Sequence, residues 1–321
     1  NTSLGKVTGG ESSRIKTAMM SALARVNYVF MNRYMLTASY RWDGSSRLAY
    51  GKRWDNFPSL ALAWDIKQER FMDRVPFDQL KLRLGYGQTG NQAVAYSAFN
   101  EYTTNRNANN DLVLSLKRIG NPNLGWERTE QYNIGLDFGL FNNRLVFNVD
   151  LYHKLSKDVL INVNVPLHTG QETKLANVAH ILNKGVEVTL GLTPVETRDF
   201  KWDLDATFAS NKQTVEELAE GLDEYTLTSG LSGLQIKAAK GDSFGLYGTG
   251  WKRDDQGNYV INSKTGLRET VNNVRLGDVY PDFTMGINNT FTYKGVTLSF
   301  LIDIRHGGSL YSETVANLRS S

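Results

Sequence analysis

Hydrophobic and polar residues alternate along most of this chain. The alternation has a period of two and recurs about ten times, which is the spacing of a β-strand with one apolar face. In one run, Leu60, Leu62 and Trp64 alternate with Ala61, Ala63 and Asp65. We expect Pro58 at the first position of this strand, where a missing N–H is tolerated. The pattern predicts strands in the following segments: 20–30, 34–40, 60–67, 80–86, 134–139, 145–152, 186–192, 202–208, 283–291 and 296–305.

The lengths of these runs and of their connections indicate a membrane barrel. Several runs continue for ten residues or more, whereas strands of soluble proteins usually have five or six. Crossing a bilayer at a tilt takes about 9–11 residues. Short and long connections broadly alternate along the chain. The short turns are at 31–33, 141–143, 197–199 and 294–295, and the long connections are at 43–56, 88–126, about 159–181 and 210–281. Short turns at one rim and long loops at the other are typical of outer-membrane barrels, so we predict an all-β, antiparallel transmembrane β-barrel.

Aromatic residues near the predicted strand ends fit the same architecture. Outer-membrane barrels carry belts of aromatic rings at both membrane interfaces. We expect such belts to include the following residues: Tyr34, Trp42, Tyr152, Trp202 and Tyr293.

The polar positions of the predicted strands carry charges of both signs. A charged side chain facing lipid costs several kcal/mol, so this face is expected to line a wet or plugged interior. The charged residues assigned to it are Arg25, Asp65, Lys67, Lys81, Arg83, Asp137, Asp150, Glu187, Asp203, Asp205, Asp303 and Arg305. They form no ring of one sign, which a charge-selective pore would need.

Composition narrows the possible functions. The chain contains 15 Tyr, 14 Phe and 6 Trp but no Cys, so neither disulfides nor thiolate metal sites are possible. The net charge of +3 argues against nucleic acid as a partner.

No motif predicts an enzyme. The segment "GYGQTG" (85–90) has dinucleotide-binding spacing, but Lys81 and Arg83 precede it on one face of a strand that a Rossmann fold would bury on both faces. The four histidines lack zinc spacing, and no G-x-S-x-G elbow occurs. Segment 251–266 lacks the order of a calcium loop and predicts a hairpin turning at Gly257-Asn258. We therefore expect no catalytic residue, metal or cofactor.

Long blocks of the sequence resemble the SusC/RagA family of TonB-dependent outer-membrane transporters. They include "YRWDGSSRLAYGKRWDNFPSLALAWDIKQERFM" (40–72), "NPNLGWERTEQYNIGLDFGLFNNRLVFNVDLYHKLSKDVL" (121–160) and "GDVYPDFTMGINNTFTYKGVTLSFLIDIRHGGSLY" (277–311). The resemblance implies a plugged barrel of about 22 strands, a SusD-like surface lipoprotein acting as a lid, and import of oligosaccharides or oligopeptides driven through TonB. Many members have an Asp-rich segment before "PDF" that this chain lacks, so no metal site is carried over.

The resemblance also sets the expected domain organisation. Residues 1–321 would form part of one barrel domain in the bacterial outer membrane, in contact with lipid, and would lack the plug, the TonB-binding segment and the closing C-terminal strands. Loop aromatics that could stack on a substrate are Tyr96, Tyr102, Trp251 and Tyr259. Two other functions stay open: a surface scaffold or receptor, and a passive substrate-specific pore.

Overall fold

A computed structural model describes residues 14–230 and 233–319. Within them the chain forms sixteen strands: β1 (Met19–Phe30), β2 (Tyr34–Ser45), β3 (Trp54–Asp65), β4 (Phe77–Asn91), β5 (Glu101–Arg106), β6 (Leu112–Arg118), β7 (Glu127–Leu140), β8 (Leu145–Asn164), β9 (Thr173–Glu196), β10 (Phe200–Glu217), β11 (Glu224–Ser229), β12 (Gln235–Ala239), β13 (Gly245–Trp251), β14 (Thr270–Asp278), β15 (Phe283–Tyr293) and β16 (Val296–His306). Helix α1 (Glu313–Arg319) follows, and short 3₁₀ helices occupy Tyr50–Lys52, Ile66–Gln68, Arg70–Met72 and Leu167–Thr169. Among the described residues, no helix is long and apolar enough to cross a membrane.

Ten strands form one antiparallel sheet, which we call the wall. Its order is β1-β2-β3-β4-β7-β8-β9-β10-β15-β16, so each strand pairs with the next wall strand along the chain, with separate sheets inserted at two places. The insertions are the β5–β6 hairpin and the four-stranded sheet β11–β14, which lie in the two longest connections. The ten-stranded wall confirms the predicted all-β architecture, with β1 and β16 as its two edges.

The four short turns lie at one rim together with the connection 66–76, and the connections 46–53, 92–126, 165–172 and 218–282 lie at the other rim. The turns at 31–33, 197–199 and 294–295 are confirmed, and the turn predicted at 141–143 includes one more residue, Arg144. Met31 and Asn32 have φ of 52° and 54°, the left-handed conformation that tight hairpins use.

Strands at the long-loop rim extend further than predicted. β8 continues to Asn164 and β9 begins at Thr173, so the connection predicted at 159–181 is only 165–172. β10 likewise continues to Glu217. The strands continue to pair beyond the lipid boundary, but the alternation of apolar and polar residues is required only where one face contacts lipid. The sequence pattern therefore ends before the strand does.

The apolar face, which we call the outer face, carries two levels of aromatic rings. Near the short turns, Tyr34 stacks on Trp64 at 6.2 Å between ring centroids, and Trp202 stacks on Phe291 at 5.5 Å. Toward the long loops, Trp42 lies 4.7 Å from Trp54 and further pairs join Tyr86 with Tyr132 and Phe208 with Phe283. Tyr293 lies on the same face, two residues after Phe291. Between the levels the outer face is apolar and open, as in Leu62, which is 44% exposed.

Three positional predictions were wrong. Tyr152 lies on the opposite, polar face, because it pairs with Asn133 and Gly185 rather than with apolar partners. Lys67 is in the 3₁₀ turn after β3, where its Nζ donates to the carbonyls of Met72 and Val75. Pro58 is the fifth residue of β3 and not its first.

The position of Pro58 has a simple physical reason. β3 pairs with β4 only from Ser59 onward, while its pairing with β2 continues up to Trp54. Pro58 therefore lies where one side of the strand has no partner, and edge positions of this kind tolerate a missing N–H.

Candidate substrate-facing surface

The polar face of the wall, which we call the inner face, centres on Arg83. This side chain on β4 donates to Asp137 on β7 at 2.7–3.1 Å and to Asp150 on β8 at 2.9 Å. It reaches Asp150 across Gly135, where a Cβ atom would lie 2.6 Å from the guanidinium carbon. Glycine therefore allows one arginine to join three strands. Within this network, one cation balances two carboxylates.

A cavity of about 470 Å³ opens on the inner face beside this network. The Tyr152 hydroxyl donates to Asn211 at 3.0 Å, and the Asn211 amide donates to Asn183 at 3.1 Å. The rest of its polar lining consists of Gln131, Asn133, Asp150, Lys154 and Glu187. The cavity thus presents amides, a phenol, carboxylates and one ammonium group, which can exchange hydrogen bonds with a polar ligand or with a protein segment inside the barrel.

The long loops pack on a buried cluster at their rim of the wall. Leu48 and Leu124 are fully buried there, and Phe57 lies edge-on to Trp126 at 5.4 Å. The indole of Trp126 donates to the Arg53 carbonyl at 2.9 Å. The cluster joins the connection 46–53 to the connection 92–126, so these loops hold a defined shape. Phe57 is 5% exposed and serves this packing.

The structure places Tyr96 and Tyr102 in different settings. The Tyr96 hydroxyl accepts from the Lys16 amide at 2.8 Å and donates to the Lys16 carbonyl at 3.1 Å, so it ties the approach to β1 to the first long loop. Tyr102 lies on β5 and is 54% exposed. Neither makes a ring contact with Trp251 or Tyr259 among the described residues.

Arg268 bridges Trp251 and Tyr259, and Arg253 makes a second contact with Tyr259; sequence reasoning missed both arginines. Arg268 lies over Tyr259 at 4.2 Å and over Trp251 at 5.7 Å, and Arg253 covers the Tyr259 ring at 4.2 Å. We call these four residues the arginine–aromatic ladder. The predicted hairpin holds it: the Asn258 carbonyl accepts from the Asp254 amide, and Arg253 pairs with Tyr259. The sequence signal that could have indicated this contact is the presence of aromatic residues and arginines close together in this segment, with Trp251 near Arg253 and Tyr259 near Arg268.

Three carboxylates support the loops that carry this ladder. The backbone N–H of Asn258 holds the pKa of Asp254 below its ordinary value at the hairpin turn. At the base of the four-stranded sheet, Arg275 contacts Asp242 at 3.2 Å and Asp278 at 2.8 Å. The Ser243 hydroxyl, followed by Arg275, lowers the pKa of Asp278. The ladder is thus presented by a sheet whose base is fixed by ion pairs and hydrogen bonds.

Comparison with known proteins identifies the architecture. Residues 3–310 match the family model described as TonB dependent receptor-like, beta-barrel. The chain is 32% identical to TonB-dependent receptor P26 of Formosa agariphila, over 92% of this chain and 32% of that protein. It is 31% identical to TonB-dependent receptor SusC of Bacteroides thetaiotaomicron, over 94% of this chain and 32% of that protein.

Solved structures give the same result. A chain of the RagAB peptide importer in its open-open state is 28% identical and superposes with a TM-score of 0.78, covering 91% of this chain and 33% of that one. A second RagAB structure, described as a peptide transporter, has a TM-score of 0.75 over 89% of this chain and 33% of that one. The chain thus spans about a third of the length of these relatives. With its ten-stranded wall and two aromatic levels, it belongs to the β-barrel family of TonB-dependent receptors of the bacterial outer membrane, on the SusC/RagA side of that family.

Proposed function

We propose that the full-length protein imports oligosaccharides or oligopeptides across the outer membrane, with the inner face of this wall lining part of the passage. The observation that carries the proposal is the polar cavity around Tyr152, Asn183 and Asn211, which lies on the face turned away from lipid. Sugars and peptide backbones both present hydroxyl or amide groups, and these pair with amide and phenol side chains. The similarity to the RagAB peptide importer supports oligopeptides as substrates.

Among the four loop aromatics, we propose Trp251 and Tyr259 as the main substrate contacts. Their rings are 52% and 38% exposed and are held in place by Arg268. Flat apolar ring faces bind sugar rings and peptide side chains, and an adjacent arginine can pair with a carboxylate. Tyr102 offers a further exposed ring, and Tyr96 would contribute mainly by fixing the loop beside it.

Two protein partners complete the proposal. A SusD-like lipoprotein would cover the long-loop rim as a lid, and TonB would supply energy through a segment outside these residues. The wall would be less than half of a plugged barrel of about 22 strands. The edges β1 and β16 support this arrangement, because every residue of both strands is exposed and both strands need partners to remain in a membrane.

A growth experiment tests import. The gene would be deleted in its native host and the strain grown on single polysaccharides, oligosaccharides or peptide mixtures as the limiting nutrient. Loss of growth on one class, restored by the wild-type gene, is the expected result. Unchanged growth on every nutrient that the host uses would refute import and favour a scaffold or receptor.

Conductance in planar bilayers separates active import from a passive pore. We expect the purified full-length protein to conduct almost no ions, because a plug would close the barrel. Steady open-channel currents in the absence of TonB would instead identify a passive substrate-specific pore.

A further inference from the structure

A row of basic residues crosses the outer face of the wall. His153 on β8 is the direct partner of Lys184 on β9, and Lys184 is the direct partner of Lys212 on β10. Directly opposed residues of antiparallel strands share a face. The row continues from the Tyr86–Tyr132 aromatic pair, and the Tyr132 ring lies 6.2 Å from His153. It is therefore on the lipid-facing side of the wall.

The height of this row coincides with the membrane boundary on the long-loop side. His153 comes six residues after Phe147, which belongs to the aromatic level near the short turns. Six residues of strand span about 20 Å. Lys184 follows the apolar outward positions Val186 and Val188 on its strand when read from the short-turn rim. The basic groups thus stand at the level where an outer-membrane barrel leaves the apolar band.

The electrostatics of the row are unfavourable for the protein alone. Two lysines directly opposed on neighbouring strands repel each other. Within the described ranges, neither Lys184 nor Lys212 forms an ion pair. Lys212 lines a cavity together with Asp242, Asp278 and Asp282, but each of these carboxylates contacts another basic residue. Asp242 and Asp278 bind Arg275, and Asp282 contacts the His306 ring. Both lysine side chains are exposed, so an external anion can reach them.

We propose that Lys184 and Lys212 bind a phosphate group on the headgroup of an outer-leaflet lipid. A phosphate between the two ammonium groups converts their repulsion into two attractive contacts, and basic sites at the lipid boundary bind anionic headgroups in this way. The aliphatic part of the same lipid would lie on the apolar surface formed by Val186, Val188 and Phe208 below the row. The occupant is a phosphorylated lipid, because a free phosphate ion would gain no contact with that apolar surface.

Native mass spectrometry of the intact full-length barrel in detergent tests the proposal. The protein would be titrated with bisphosphorylated lipid A and, separately, with phosphatidylcholine. We expect the wild type to retain lipid A and the double variant Lys184→Gln/Lys212→Gln to lose at least tenfold in lipid A affinity, which corresponds to about 1.4 kcal/mol at 25 °C. Neither protein should retain phosphatidylcholine selectively.

A matched control sits on the adjacent residue of β8. Lys154 pairs with Asn183 on the inner face, so Lys154→Gln removes the same charge from the opposite side of the wall. Lipid A retention by this variant should equal that of the wild type. Lys184→Arg/Lys212→Arg, which keeps both charges, should retain lipid A as well.

Thermal unfolding of the intact protein provides a second measurement. Without anionic lipid, the double Gln variant should be at least as stable as the wild type because the repulsion is gone, and lipid A should raise the Tm of the wild type more than that of the variant. Equal lipid A binding by both proteins would refute the proposal. Displacement of lipid A by millimolar inorganic phosphate would also overturn it, since it would identify a site for the free ion.

Discussion

Arg83 contacts Asp150 across an entire intervening strand, with its guanidinium above the backbone of Gly135. The same guanidinium binds Asp137, so strands β4, β7 and β8 share one cation on the inner face. This network lies beside the proposed substrate cavity, and its integrity can be tested separately from transport.

Replacing Arg83 with methionine should destabilise the barrel. Asp137 and Asp150 would lose their shared cation, and Asp137 is only 14% exposed. We expect a loss of about 1–2 kcal/mol in the free energy of unfolding, a value reduced for the partial exposure of the pair. Urea unfolding of the full-length protein in detergent, followed by tryptophan fluorescence, measures it. Adding Asp137→Asn and Asp150→Asn to this variant should recover most of the loss; an Arg83→Met protein as stable as wild type would contradict the prediction.

Gly90→Ala should loosen the long loops without harming the wall. A Cβ at Gly90 would lie 2.2 Å from the Phe57 ring, and Phe57 belongs to the buried cluster under the loops. Overpacking of this kind costs about 1–3 kcal/mol. Whole cells treated with an external protease should show faster cleavage within residues 92–126. Gly87→Ala is the control on the same strand, because its Cβ would meet only Ser59 at 3.6 Å; equal cleavage of the two variants would refute the role of Phe57.

Removing either ring of the arginine–aromatic ladder should weaken substrate binding. Trp251→Ala or Tyr259→Ala removes a face that Arg268 holds in place. A ring contact worth about 1 kcal/mol corresponds to roughly a fivefold loss of affinity. Uptake of labelled substrate at several concentrations measures the apparent affinity. Leu267→Ala, which removes a 70% exposed apolar side chain from the same hairpin, should leave uptake unchanged. Equal effects of all three variants would point to general disturbance of the loop.

The four-stranded sheet should lose local stability in acid. The Ser243 hydroxyl and Arg275 lower the pKa of Asp278 relative to the unfolded chain. A lowered pKa means that the stabilisation is fully present above the ordinary Asp pKa of about 3.9 and disappears as the pH falls through the folded value. The protection factors of the β13 and β14 amides, which are exchange rates corrected for the intrinsic pH dependence of the unfolded chain, should therefore be constant near neutral pH and smaller below about pH 4. In Asp278→Asn, exchange should be faster at neutral pH and should lose much of this acid dependence; an unchanged profile would show that Asp278 does not stabilise the sheet.

The strands of the wall were predictable because every second residue faces lipid and must therefore be apolar. Positions such as Leu60 and Leu62 must be apolar to face hydrocarbon, so the period of two reports both the strand and its face. The aromatic levels followed for the same reason, except at Tyr152. A tyrosine near a strand end is compatible with either the outer or the inner face. Only the pairing of Tyr152 with Asn133 on β7 and Gly185 on β9 places it on the inner face.

The loop architecture and most of the site were not predictable. Arg268 stacks on both Trp251 and Tyr259, but this contact depends on the pairing of Ile261 with Arg268 across a hairpin. The cluster of Phe57 and Trp126 joins segments that are far apart in the chain. No local periodicity encodes such contacts, because they arise from how two loops fold over each other.

By itself the sequence determined the class of this protein: an outer-membrane barrel wall with an apolar outer face, a charged inner face and long loops at one rim. The tertiary structure alone decided which polar groups meet, including Arg83 with Asp150, Tyr152 with Asn211, and Lys184 with Lys212. The physical reason is that each strand by itself encodes which of its side chains face lipid, because lipid on one side requires apolar residues and the polar interior on the other does not. Register is a property of strand pairs, set by turns and bulges that shift one strand against the next.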